Sequence, residues 1–203
     1  MNSGLLSADK SIYGDERYTP FYAVEPLLKF LDKEKIIWCP FDDDWSAFVK
    51  LFKENGFNVV NSSLSKGQNF FDFEPSNWDI LISNPPFSKK DRILDRIIGF
   101  NKPYALLLPI DTFQAQQYFN FLSNNLQILL FDQRIEYFQY PDFENTKSGI
   151  SFGSAYFCKD FLPRDIVTER LRKYKRSLLS DEEAKSFNII LGGDNTLDMF
   201  ADY

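Results

Sequence analysis

The 203-residue chain reads as an α/β protein, a doubly wound and mostly parallel sheet with helices on both faces. Three observations predict this. Short apolar runs alternate with amphipathic segments of helical period along most of the chain. The segments between the runs have the length of crossover helices, which join parallel strands. Hydrophobic residues make up 44% and aromatic residues 17% of the chain, a composition that fills one sizeable core and excludes disorder.

Residues 19–31 (TPFYAVEPLLKFL) predict a first helix, with Phe21, Val24, Leu27, Leu28 and Leu31 at helical spacing and Pro20 near its first turn. Residues 35–41 (KIIWCPF) follow as a short buried strand. Residues 42–56 (DDDWSAFVKLFKENG) predict a helix whose acidic start suits the dipole, with one Asp as N-cap and Gly56 as the C-terminal cap. FNVV is a second strand, and after a polar loop and NFFDFEPSNW comes DILIS, residues 79–83, a third. KKDRILDRIIGF then predicts a helix with Ile93, Leu94, Ile97 and Ile98 on one face. PYALLLPI gives a fourth strand, DTFQAQQYFNFLSNN a helix, and LQILLFDQRIEYF a longer strand or a strand-turn-strand. ISFGSAYFCKDF closes the sheet. Residues 1–163 are expected to form one α/β domain, and residues 164–203 a basic helix and an acidic tail appended to it.

Composition removes several function classes. The chain has no histidine, which excludes Ser-His-Asp and Cys-His nucleophiles, His metal sites and His general bases. Cys39 and Cys158 each sit in an apolar run and are expected as buried thiols, so no metal site is predicted. No apolar run approaches the roughly 18 residues that a membrane helix needs. The first twenty residues lack a charged-then-apolar leader pattern, which predicts a cytoplasmic protein. A formal charge of -6 opposes a surface that is basic throughout. The charge is nevertheless segregated: Arg164 to Arg176 holds six basic and two acidic residues, whereas the tail from Ser177 holds one basic and six acidic.

The segment that carries chemistry is DILISNPPFSKK, residues 79–90. Ligands of doubly wound sheets bind beyond the carboxyl ends of the strands, and this segment ends one of them. The Asn84 side chain offers an acceptor oxygen and two donors. Pro85 and Pro86 fix the backbone and donate nothing, so the Pro85 carbonyl is held as a second acceptor. Phe87 adds a flat apolar face. Two acceptors beside a stacking ring suit a planar ring with an exocyclic amine, whose hydrogens they would hold while its nitrogen attacks.

These four residues resemble the catalytic motif of amino-methyltransferases, in which Asp or Asn, two prolines and an aromatic residue end a sheet strand. Upstream, RYTP before a helix resembles the motif that precedes the cofactor-binding strand in adenine methyltransferases, and IIWCPFDDDWSAF stands where the cofactor loop belongs. The order matches along roughly residues 17–160. The likeness extends to small phage-type proteins similar to adenine-N6 methyltransferases. It implies a Rossmann-like class I methyltransferase fold and S-adenosylmethionine as cofactor, with adenine in DNA or RNA as substrate. Asn84, Pro85, Pro86 and Phe87 would be catalytic. Tyr18, Thr19, Pro20, Cys39, Pro40, Phe41, Asp42, Asn61, Asn69 and Phe70 would bind the cofactor. By charge, Lys89, Lys90, Arg92, Arg172, Lys173, Lys175 and Arg176 would either contact nucleic acid or form solvated helix faces, and by the resemblance Phe152 and Tyr156 would either wall the target base or belong to the core.

The chain also departs from the family. The usual cofactor loop carries two spaced glycines, whereas Asp42, Asp43, Asp44 and Trp45 follow Phe41 here and no glycine comes before Gly56. Asn61 and Asn69 replace acids that hold the ribose and adenine of the cofactor. No separate target-recognition region is expected after Phe161. A second reading is therefore a degenerate methyltransferase-like fold that acts as a binding or inhibitory protein, for example a phage anti-defence factor with a protein partner.

Overall fold

The computed structural model describes residues 17–86, 90–140 and 142–192, the side chains of 187–192 excepted. Nine strands occur among these residues: β1 (Ile36–Cys39), β2 (Asn58–Asn61), β3 (Ile80–Ser83), β4 (Tyr104–Pro109), β5 (Gln127–Phe131), β6 (Tyr137–Gln139), β7 (Asp142–Lys147), β8 (Ser154–Lys159) and β9 (Ile166–Glu169). Seven of them form a sheet in the order β2-β1-β3-β4-β8-β5-β9, and β6 and β7 form a separate antiparallel hairpin. Every neighbouring pair in the large sheet is parallel except the two made by β8. The expected mostly parallel α/β sheet is therefore present. ISFGSAYFCKDF does not close it, because β8 inserts between β4 and β5.

Successive strand residues point to opposite faces, and each face has its own core. On one face Ile37, Cys39, Ile82, Leu107 and Tyr156 meet the short helix α1 (Phe21–Val24) and α2 (Ala47–Glu54). On the other, Trp38, Leu81, Leu106 and Phe157 meet α3 (Lys90–Phe100) and the single turn α4 (Phe119–Leu122). Ile93, Leu94 and Ile97 of α3 are buried as the spacing predicts, while Ile98 is half-buried.

Two expected helices are broken. The first runs as α-helix only to Val24 and continues as a 3-10 turn over Glu25–Phe30, since Pro26 has no N–H to give an α-helical bond. The stretch after β4 forms two 3-10 segments, Ile110–Gln114 and Gln116–Tyr118, before α4. Its buried side chains Thr112, Tyr118 and Phe121 recur at multiples of three, the repeat of a 3-10 helix and not of an α-helix.

α2 starts later than expected. Ser46 is its N-cap, accepting from the Val49 N–H at 3.3 Å, so Asp42, Asp43 and Asp44 belong to the loop before it and none of them caps it. At the other end Gly56 adopts φ 75°, as the sequence suggests. A Cβ there would meet only Lys33 Nζ at 3.8 Å, so the cost of Gly56→Ala is set by backbone conformation alone. Denaturant unfolding should show a loss of about 1 kcal/mol.

The run Arg164 to Arg176 is not a basic helix. Ile166–Glu169 forms β9 against the open edge of β5, as the β-branched Ile-Val-Thr sequence favours, and the residues beyond it cross the molecule without helix or strand. Leu171, Leu178 and Leu179 of this strap are buried in the α1/α2 core. The acidic tail then opens α5 (Asp181–Gly192) with a capping box: the Ser180 N–H donates to Glu183 at 2.7 Å and the Glu183 N–H to Ser180 Oγ at 3.2 Å. Among the described residues no helix is long and apolar enough to cross a membrane.

Candidate functional site

From β1 the chain turns to β2 on one side and then returns past β1 to β3 on the other. The order reverses there, and the crevice beyond the carboxyl ends of two such strands is where doubly wound sheets take ligands. The loops leaving β1 and β3 are Pro40–Trp45 and Asn84–Pro85–Pro86, the two segments that the sequence singles out. Their placement at one switch point follows from the register, with Trp38 of β1 beside Leu81 of β3.

Asn84 is half-buried and its Nδ2 donates to the Arg17 carbonyl at 2.9 Å. This bond decides which way the amide points: the NH₂ group is anchored, and Oδ1 is presented as an acceptor. Among the described residues nothing donates to that oxygen, and no backbone N–H donates to the Pro85 carbonyl. Pro85 is buried and Pro86 half-buried, so the acceptor pair stands on a fixed base. Phe87 and Lys89 lie outside the described residues.

Beneath Asn84, the preceding residue Ser83 is fully buried and donates its hydroxyl to Asp42 Oδ2 at 2.5 Å. Asp42 is 7% exposed and has no cationic partner among the described residues. Burial pushes its carboxyl up to about 7, against the hydrogen bonds from Ser83 and Ser46, while the neighbouring Asp43 adds to the rise. A buried carboxylate without a counter-charge at a ligand-binding edge is a group that a cation would relieve.

The loop around Asp42 is fastened to the end of β2. Asn61 Nδ2 donates to the Asp42 carbonyl at 2.8 Å, the Asp42 N–H donates to the Ser62 carbonyl at 3.2 Å, and the Ser62 N–H to the Cys39 carbonyl at 3.0 Å. Ser63 and Ser65 both donate to Asp43 Oδ1. Trp38, wholly buried, adds a bond from Nε1 to Ser62 Oγ at 2.9 Å. These contacts do for the loop what close backbone packing does in a glycine-rich one: they fix its path.

Tyr18, Thr19 and Pro20 enter from the same edge. The Tyr18 backbone pairs with Phe138 of β6, and its ring lies 5.3 Å from Trp45 and 5.1 Å from Phe143, so the β6–β7 hairpin joins the β1 loop through these rings. Thr19 is 6% exposed and its Oγ1 has no hydrogen-bond partner among the described residues; the same holds for the buried Oε1 of Gln68, next to Asn69. Pro20, Cys39 and Pro40 are buried, and burial raises the Cys39 thiol well above its ordinary value.

The residues present fit S-adenosylmethionine at its donor groups. That molecule carries an ammonium, two ribose hydroxyls and an adenine amine; Thr19 Oγ1 and Gln68 Oε1 are buried oxygens without a partner among the described residues, and Asp42 is a buried carboxyl without a counter-charge. The fit differs in detail from the sequence expectation. Asn61 spends its amide on the loop, and Asn69 Oδ1 accepts from the Phe71 N–H at 2.9 Å. Phe70 is a core ring, fully buried 5.6 Å from Trp38 and 4.7 Å from Phe41. Gln68 and Ser83 were not singled out by the sequence, and Arg17 only as the first residue of RYTP. A serine closing an apolar strand before the motif was the available signal for Ser83; nothing local marks Gln68.

The basic residues divide. Lys90 Nζ donates to Thr112 Oγ1 at 3.2 Å and lies over the Tyr118 ring, so it ties α3 to the loop after β4. Arg92 is exposed over Phe71. Lys173 and Arg176 are engaged by Glu136 and Glu54, whereas Arg172 and Lys175 are exposed. Tyr156 is fully buried and donates to the Ala23 carbonyl at 3.0 Å, which makes it a core residue; Phe152 is half-buried against Tyr137. Among the described residues no group of three Cys, Asp or Glu side chains gathers as a metal site. Compared with models of protein families and with curated proteins, the chain matches none.

Proposed function

We propose that the chain transfers a methyl group from S-adenosylmethionine to the exocyclic amine of adenine in nucleic acid, on the class I methyltransferase form of the doubly wound sheet. The anchored amide of Asn84 supports this reading most. Its Oδ1 and the Pro85 carbonyl accept the two amine hydrogens, which draws the nitrogen lone pair out of the ring and makes it nucleophilic without a histidine. Asp42 would hold the ammonium end of the cofactor, its carboxylate fixed by the bond that Oδ2 accepts from the Ser83 hydroxyl. When bound, S-adenosylmethionine supplies an electrophilic methyl on a sulfonium sulfur. Thr19 and Gln68 take hydroxyl or amine hydrogens of the same molecule.

Incubation with methyl-labelled S-adenosylmethionine and an adenine-containing oligonucleotide, followed by digestion to nucleosides, tests this directly. Label in N6-methyladenosine or its deoxy form is the expected result; label in no nucleoside would overturn it. A second reading, a binding protein that has lost transfer, draws on one observation. The loop after Cys39 has no glycine and is cross-linked by Asp43 to Ser63 and Ser65. Binding of the oligonucleotide without any labelled product is what that reading expects.

A further inference from the structure

The cations of the strap between β9 and α5 fall into two sets. Lys173 Nζ lies 2.9 Å from Glu136, and Arg176 holds Glu54 through two nitrogens at 2.5 and 3.1 Å with its guanidinium 3.7 Å from the centre of the Phe21 ring. Tyr174 donates to Glu25 at 2.6 Å. These contacts pin the strap across α1 and α2. Arg170, Arg172 and Lys175 do not take part: they are exposed, and among the described residues no carboxylate pairs with them.

The position of the first two is fixed by the residue between them. Leu171 is buried, its N–H donates to Asp132 Oδ1 at 3.0 Å, and its carbonyl accepts from Gln133 Nε2 at 3.1 Å, both in the turn that leaves β5. Arg170 and Arg172 therefore stand at the carboxyl end of β5 and β9. β3, β5 and β9 run in the same direction, so this is also the edge that carries Asn84. Four interstrand steps separate β3 from β9 in the sheet order. At ~4.8 Å each they span ~19 Å, about six nucleotides of a helical strand at ~3.4 Å. Arg170 and Arg172 flank one buried residue and carry like charges without a carboxylate partner among the described residues, and an anionic ligand would relieve them.

We infer that Arg170 and Arg172 form a phosphate track that holds a nucleic-acid strand along the sheet edge leading to Asn84. The inference rests on the methyl-acceptor reading of that residue and assigns its nucleic-acid substrate a path along the sheet edge. Arg164 provides an internal control. It is exposed and carries the same charge, but it precedes β9 and so lies at the opposite, amino edge of the sheet.

The test is the salt dependence of binding to a labelled single-stranded 12-mer with a central adenine, between about 50 and 200 mM salt. The double variant Arg170→Ala, Arg172→Ala should lose about 1.4 from the log–log slope, about 0.7 per phosphate contact, and bind at least about tenfold more weakly at the lowest salt. Arg164→Ala should keep the wild-type slope. An unchanged slope in the double variant, an equal change in Arg164→Ala, or no wild-type binding at the lowest salt would each overturn the track. The outcome is separable from catalysis. Transfer of label to the 12-mer with an unchanged slope would remove the track and leave the transferase, and a normal slope change without transfer would do the reverse.

Discussion

Asn84→Ala is expected to lower methyl transfer by about 10²–10³ in kcat, the usual cost of deleting one preorganised hydrogen-bonding group at a reacting centre. In the proposed reading Oδ1 meets the amine that becomes the nucleophile, so the loss should fall on the chemical step and leave cofactor affinity nearly intact. Asn84→Asp separates the two ends of the amide. It keeps an acceptor but sets a carboxylate against the Arg17 carbonyl, where Nδ2 now donates at 2.9 Å. Its activity should lie between those of wild type and Asn84→Ala. An equal loss of kcat and of cofactor affinity in Asn84→Ala would place the residue on the cofactor instead.

The second large effect concerns Asp42 and has opposite signs for stability and for binding. Burial pushes its carboxyl from the ordinary 3.8 of an exposed aspartate up to about 7 in the folded chain. A raised folded pKa means stability that is fully present below about pH 4 and lost as pH rises through about 7, to a total of about 4 kcal/mol. Asp42→Asn removes this titration and retains an oxygen for the Ser83 hydroxyl. In urea unfolding without ligand, the variant should become progressively more stable than wild type between pH 4 and 7 and exceed it by up to about 4 kcal/mol at pH 8. Parallel pH profiles would sink this account of Asp42. The same variant should bind S-adenosylhomocysteine about 10- to 100-fold more weakly, because a neutral amide replaces a charge-assisted bond to an ammonium. A group that costs stability yet is needed for binding has the pattern expected of a functional residue.

The sheet was legible because its strands bury both faces. Ile37, Trp38 and Cys39, or Leu106, Leu107 and Leu108, are apolar without alternation, and that pattern survives any choice of neighbours. Sheet order was not legible, since nothing in SAYFCK states that β8 runs antiparallel between β4 and β5. β9 was hidden by charge: Ile166, Val167 and Thr168 have the β-branched signature, but the arginines and lysines around them dominate the composition. The helix α5 was marked by Ser180 and Glu183, a capping-box spacing inside a segment that reads at first as an acidic tail.

The site divides in the same way. Asn84, Pro85 and Pro86 were legible because their chemistry is local, contained in three consecutive residues. The residues proposed for the cofactor side, Thr19, Asp42, Gln68 and Ser83, lie far apart in sequence, and Asp42 and Ser83 meet only where β1 and β3 end at the switch point. Thr19 was marked by the RYTP segment, whereas no spacing rule marks Gln68, whose oxygen stands out only once its burial and missing partner are known.

Calorimetric titration with S-adenosylhomocysteine tests most directly whether this edge holds the methyl donor. Saturable heat with a dissociation constant on the order of micromolar is expected, weakened in Asp42→Asn and almost unchanged in Asn84→Ala. No heat at millimolar ligand, with the protein shown to be folded by its cooperative urea transition, would contradict it.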